Sequence, residues 1–324
     1  EAMTGGYTDG VVTERSMKQD RLRVWLSCAL LVFAAAEGEA QGTDRAAGLF
    51  RCQIHRGGGH AFPDNALESF LWAWGHGVAP EADARLTRDG VAIAFHDDNL
   101  ARITRGIPEA WKTRKIKDMT WDEVRGLDTG SYLGPQYAST RIVLMETVFA
   151  AMRGRSERLL YLDEKGAPPE LMAELSERFG VQEQVYYCSS RYELLPRWKK
   201  IAPKGRSMLW MGSWSKSNTS EEVARTERLL GGKLEDLEKR AFEGVDQVQI
   251  HVRTDFTQPD PFCPSSAFLK RAGEQIHRYG LTFQVISWTE GNNPETYRKL
   301  WALGADSFAT DFPLELISVL PTLK

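Results

Sequence analysis

Cysteine and histidine are scarce in this 324-residue chain, four and six respectively, and no cysteine stands at zinc-ligand spacing from another cysteine or a histidine. That spacing excludes a structural zinc module. A basic excess is also missing: 41 Lys and Arg face 44 Asp and Glu, for a formal net charge of -3. No nucleic-acid partner is expected of such a balance, since those binders carry a basic stripe. Long apolar runs are absent too. The stretch Val24 to Ala36 falls short of the about 20 residues that a bilayer span needs. Nor does a nucleotide-binding glycine fingerprint follow any early strand: His55-Arg56-Gly57-Gly58-Gly59-His60 lacks the G-x-G-x-x-G spacing and the helix entry.

What is present begins with a leader. Met17-Lys18, Arg21 and Arg23 make a basic start, Val24 to Ala36 an apolar run, and Gly38-Glu39-Ala40 a small-residue cleavage site. Residues 17–40 therefore read as a secretory signal, and the protein is expected in the periplasm or outside the cell, with no stable membrane span. Residues 1–16 lie upstream of Met17 and read as an extension outside the native start. Three cysteines remain beyond the cleavage site. Cys188 and Cys263 are the candidates to pair in an oxidising compartment, and Cys52 reads as buried packing.

With 42% hydrophobic and 26% charged residues, the remainder is an ordinary globular chain, read as a single domain over 48–324. From Phe50 onward, short apolar strands alternate with helical patterns, as a parallel sheet with crossover helices requires. Nine strand candidates stand out: 51–55, 79–83, 91–96, 159–163, 184–187, 207–210, 246–251, 281–287 and 307–310. A closed (β/α)8 barrel takes eight, and the Arg88-Asp89-Gly90 turn leaves no room for a crossover helix, so one of the second and third strands is expected to be a hairpin partner. An open doubly wound sheet is the alternative. Leu67, Phe70, Leu71 and Trp74 mark the first helix, with Asn65 as its expected N-cap. Residues 98–140, weakly periodic, read as an excursion that helps roof the site.

The chemistry-bearing residues cluster at strand ends. Glu81 and Asp83 share a strand face by the two-residue pleat, and two carboxylates held together call for a cation between them. Oxygen ligands suit calcium or magnesium. His96 closes the next strand, and Asp163 and Lys165 repeat the pattern, adding a third acidic ligand and a second phosphate-directed cation beside Arg56. Trp288 ends the penultimate strand, where it reads equally as a wall for a head group or as core. A choline head there would gain a cation–π contact. His60, His76, His251 and His277 read as structural, although His251 alternates inward with Gln249.

Taken in order, His55-Arg56-Gly57, Pro63-Asp64-Asn65-Ala66, Glu81-Ala82-Asp83, Thr87-Arg88-Asp89-Gly90, His96-Asp97, Asp163-Glu164-Lys165, Trp288-Thr289-Glu290-Gly291 and Thr310-Asp311-Phe312-Pro313 resemble the glycerophosphodiester phosphodiesterase family. The resemblance implies a TIM barrel of the PLC-like phosphodiesterase type, one divalent cation (Ca2+ or Mg2+), and hydrolysis of a small-molecule glycerophosphodiester to sn-glycerol 3-phosphate and an alcohol. It implies His55 and His96 as the general acid/base pair, Glu81, Asp83 and Asp163 as metal ligands, and Arg56, Lys165 and Trp288 as substrate-binding residues. Asp163 and Asp64 stand where the family usually has glutamate, and Asn292 comes one residue late. Those departures keep open a related phosphodiesterase or lyase acting on lysophospholipid or sugar phosphodiesters, and an inactive binding domain. Oligomeric state, the order of acid and base, and the choice between water and a substrate hydroxyl as attacker are not fixed by the sequence.

Overall fold

The computed structural model describes residues 52–323. The leader at 17–40 and the extension at 1–16 lie outside them. Eight strands run parallel in a closed ring: β1 (Gln53–Ile54), β2 (Ala79–Leu86), β5 (Leu160–Glu164), β6 (Val185–Ser189), β7 (Arg206–Met211), β8 (Gln247–Thr254), β10 (Thr282–Ser287) and β11 (Ser307–Thr310). Closure is made by β1, which pairs with β11 on one side and with β2 on the other. This is the (β/α)8 barrel, and the open sheet is excluded.

Three further strands lie off the ring. β3 (Ala92–Ala94) runs antiparallel to β2, so the third candidate is the hairpin partner, and β4 (Val143–Leu144) pairs with β3 in turn. β9 (Phe262–Cys263) folds back on the end of β8. Neither β4 nor β9 was expected; two residues are too few for a period to register.

Alternation along β8 explains how the barrel is filled. Val248, Ile250 and Val252 are fully buried toward the surrounding helices, while Gln247, Gln249 and His251 take the other face. Inside, polar groups satisfy one another. Gln249 Nε2 donates to Gln53 Oε1 (3.0 Å) and Gln284 Oε1 (2.6 Å), and Tyr161 OH accepts from Gln247 (3.1 Å) and Gln284 (3.2 Å). That network makes a rigid polar floor, because each buried partner would cost about 1–3 kcal/mol if left unpaired.

Between β3 and β4 the excursion builds its own small core from Ile93, Phe95, Leu100, Ile103, Ile116, Met119, Val124 and Ile142. Each such buried side chain contributes about 1.5–3 kcal/mol, which offsets the ordering of a long segment with few regular elements. One helical turn, Trp121–Val124, is closed by a capping box of Thr120 and Glu123. The described cysteines Cys52, Cys188 and Cys263 are all buried and free, so the Cys188–Cys263 pairing is not made.

Candidate active site

Where β1 ends the chain turns sharply over His55–Gly57. Arg56 adopts a left-handed φ of 53° and Gly57 a φ of 75°. A Cβ on Gly57 would stand 2.1 Å from the Phe70 ring, and one on Gly59 would stand 2.4 Å from the Asp311 carbonyl oxygen. Only glycine allows so close an approach. The turn thereby aims the Arg56 amide at Glu81 Oε2 (3.2 Å) and sets His55 beside the end of β11. There His55 Nδ1 donates to Asp311 Oδ1 at 2.6 Å.

A second imidazole faces the first, with ring centroids 6.4 Å apart. His96 follows β3 and belongs to a closed ring of five side chains. Arg56 Nη2 donates to His96 Nε2 (3.3 Å), and His96 Nδ1 donates to Asp97 Oδ1 (3.0 Å). Arg102 Nε donates to Asp97 Oδ2 (2.8 Å) and Arg102 Nη2 to Asp64 Oδ2 (2.6 Å), which Arg56 Nη1 also reaches (3.3 Å). Tyr132 OH donates to the other oxygen of Asp64 at 2.8 Å. Arg102 and Tyr132 both come from the excursion, which thus braces the site as well as flanking it.

The acidic cluster lies along β2 and near the end of β5. Asp83 and Asp163 are register partners on neighbouring strands. With Glu81 they form a group whose carboxylate oxygens come within 4.8 Å of one another. All three are buried, at 4%, 0% and 6% exposure for Glu81, Asp83 and Asp163. Asn65 fixes the middle member, donating to Asp83 Oδ2 (2.7 Å) and accepting from the Asp83 amide (2.8 Å). The expected N-cap role is therefore not the one Asn65 plays: the helix Leu67–Gly75 starts after Ala66 with no side-chain cap. Lys165 pairs with Asp163 and stands 3.5 Å from Asp83 Oδ1. That oxygen is buried and accepts no hydrogen bond. Three buried carboxylates with one orphaned oxygen suit a hard divalent cation.

Electrostatics divide the cluster. Burial pushes the Glu81 carboxyl up, helped by Asp83 and opposed by His55. Asp83 goes down: burial opposes its charge, but Lys165, His96 and Asn65 together outweigh it. Asp163 is pushed up to about 7 by burial, with Glu81 and Asp83 adding to that against the pull of Lys165. His55 is raised to about 9, because Glu81 and Asp311 overcome the opposing effect of burial. His251 moves the other way, down to about 3, through burial first and the charge of His55 second.

Above the cluster opens a cavity of about 270 Å³, lined by His55, Arg56, Glu81, His96, Asp163, Lys165, Trp210, Trp214, His251 and Trp288 among others. Asp83 lies beneath it, paired as described. The eight sequence-derived site residues thus gather in one place, seven of them lining this cavity and Asp83 buried beside Asp163. Trp288 is wall and not core: its ring meets His55 at 5.3 Å and His251 at 5.1 Å. His251, read as structural, lines the same cavity, stacked on Trp210 at 5.2 Å. Sequence reasoning gave no role to Asp311, Arg102, Tyr132, Trp210 or Trp214. Asp311 had a signal, its position just past the last strand; the two excursion residues had none, lying in aperiodic chain.

The pattern of the Glycerophosphoryl diester phosphodiesterase family matches residues 55–315. The Bacillus subtilis (strain 168) protein YhdW is 26% identical over 265 residues, covering 80% of this chain and 93% of its own. A glycerophosphodiester phosphodiesterase from Caldanaerobacter subterraneus is 30% identical over 157 residues, 46% of this chain and 61% of its own. Among solved structures, a phosphodiesterase from Oleispira antarctica in complex with the product sn-glycerol-3-phosphate superposes with a TM-score of 0.58 at 21% identity, covering 85% of this chain and 97% of that one.

Proposed function

The chain belongs to the Glycerophosphoryl diester phosphodiesterase family, a family of phosphoric diester hydrolases, and from that premise we propose that it hydrolyses glycerophosphodiesters to sn-glycerol 3-phosphate and an alcohol by histidine acid/base catalysis. The observation that carries this reading is a pair of imidazoles on one cavity, each held at Nδ1 by a carboxylate, with the Arg56 guanidinium against one of them. The product held by the Oleispira antarctica enzyme is consistent with it.

The hydrogen bonds support a division of roles between the histidines. His96 Nδ1 donates to Asp97, which leaves the imidazole's one lone pair on Nε2, where Arg56 donates to it; once Arg56 is engaged by the phosphate, that lone pair would take the proton, which makes His96 the base in this reading. His55, charged by its carboxylate neighbours, is the acid that protonates the departing alkoxide. The attacking oxygen, from water or from the substrate's own neighbouring hydroxyl, gives its proton to His96. Arg56 and Lys165 offset charge on the phosphoryl oxygens, the kind of preorganised electrostatic contribution that is usually the largest in such sites. Glu81, Asp83 and Asp163 would hold one divalent cation, Ca2+ or Mg2+, whose positive charge further stabilises those oxygens when bound. On residues 17–40 alone, we propose export to the periplasm or beyond.

His55→Ala and His96→Ala are each expected to lower turnover of glycerophosphocholine by about 10²-fold or more while circular dichroism stays unchanged. Near-normal turnover by either variant would remove the acid/base assignment.

A further inference from the structure

A second chamber of about 280 Å³ adjoins the catalytic cavity and shares Trp214, His251 and Trp288 with it. Its other walls are Ser213, Ser215, Val252, Arg253 and Thr289. Among the described residues, eight buried side-chain polar atoms have no hydrogen-bond partner. Three of them, Arg253 Nε, Trp288 Nε1 and His251 Nδ1, belong to residues lining this chamber, and two more, Arg56 Nε and Asp83 Oδ1, belong to the catalytic groups. Buried polar atoms are ordinarily paired, so their concentration in residues lining the two cavities sets this region apart.

The unpaired groups also state what kind of ligand. Arg253 and Trp288 offer only donors, and Arg253 makes no side-chain hydrogen bond or ion pair among the described residues. Asp255, two residues further on, feels the Arg253 charge, but its carboxylate is engaged by the Thr257 amide (3.0 Å) and hydroxyl (2.6 Å). A quaternary ammonium would enjoy the indole faces yet meet the guanidinium without a facing carboxylate. His251 Nδ1 is an acceptor, because its Nε2–H donates to Gln249 Oε1 (3.1 Å), and calls for a donor from elsewhere on the ligand; an anion meets the two donors, Arg253 and Trp288.

Resting on the phosphodiesterase reading above, we propose that this chamber binds an anionic group, carboxylate or phosphate, carried by the alcohol half of the substrate, with Arg253 as the residue that selects for it. Glycerol bears only neutral hydroxyls, so the charge must sit on the alcohol. Trp288, shared by both cavities, is the wall that the alcohol passes. Trp214, 67% exposed, lines both cavities, its ring stacked on Trp288 at 6.3 Å.

Two matched substrate pairs test this. Glycerophosphoserine differs from glycerophosphoethanolamine by a carboxylate, and bis(glycerophospho)glycerol differs from glycerophosphoglycerol by a further glycerophosphoryl unit, whose phosphate adds one charge and whose second scissile bond accounts for a factor of about two in kcat/KM. With the native enzyme the anionic member of at least one pair is expected to have a kcat/KM about tenfold higher, the ordinary range for one charged hydrogen bond. Which pair responds separates carboxylate from phosphate. Arg253→Gln should collapse that ratio toward one, and Arg253→Lys should restore part of it. Equal kcat/KM within both pairs, or a ratio untouched by Arg253→Gln, would overturn the subsite while leaving the phosphodiesterase reading intact; absence of turnover on all four substrates would count against that reading itself.

Discussion

His55 takes its character from two carboxylates that arrive from opposite ends of the chain, Glu81 and Asp311. Because they raise its pKa from 6.5 to about 9, the imidazolium is the form present at neutral pH. A general acid loses activity as pH rises through its pKa. Asp311→Asn removes one of the two supports, so the alkaline limb of the kcat–pH profile is expected to move to lower pH, with kcat reduced at pH 8. An alkaline limb that stays in place would show that His55 is not the titrating acid. The same shift has a stability consequence with a definite sign: a raised histidine contributes stability fully below pH 6.5, and the contribution fades as pH climbs toward 9. In Asp311→Asn the drop in Tm relative to the native protein should therefore be greater at pH 6 than at pH 9.

At the scale of elements, the excursion between β3 and β4 is the unusual part. It has a hydrophobic cluster of its own, and from it Arg102 bridges Asp97 and Asp64, tying His96, the proposed base, to Arg56, the proposed phosphate-binding residue. A guanidinium reaches two carboxylates at once, which an ammonium does not do in the same geometry. Arg102→Ala is expected to lower kcat about tenfold with a smaller effect on KM, and Arg102→Lys to recover little of it. Fold stability should change by only about 1 kcal/mol, since Arg102 is partly solvent-exposed and its ion pairs are correspondingly screened. Unchanged kcat and pH profile in Arg102→Ala would reduce the ring to packing.

For the whole molecule, the acidic cluster joins β2 to β5 at the barrel's mouth, so whatever neutralises it also holds the barrel together. A cation bound only by the folded state stabilises by mass action, about 2.7 kcal/mol at one hundred times its Kd. For a barrel of this size that corresponds to a Tm change of roughly 5 °C. Chelation is expected to lower activity and Tm together, with both restored by Ca2+ or Mg2+, and the paired replacement Glu81→Gln with Asp83→Asn should respond to neither treatment. Full activity in excess chelator, with no ion found by elemental analysis, would leave Arg56 and Lys165 to hold the phosphate alone.

The barrel and the core of the site were legible in the sequence because both are written in short-range spacing. Alternation of strands and helices implies the parallel sheet, the Thr87-Arg88-Asp89-Gly90 turn implies the β2–β3 hairpin, and the pleat puts Glu81 with Asp83 and Asp163 with Lys165. Side chains that act across the barrel carry no such signature. Asp311 meets His55 over 256 residues of separation, and only the closure of β1 on β11 makes them neighbours. The bridging Arg102 lies in a segment whose path depends on its own core, and the second chamber exists only where β7, β8 and β10 bring Ser213, Arg253 and Trp288 together. Local periodicity decided the elements and which face each residue takes; the pairing of distant charges, on which the proposed acid, base and selectivity of the mouth rest, was decided by the tertiary structure, because Coulomb and hydrogen-bond energies depend on separation in space and not along the chain.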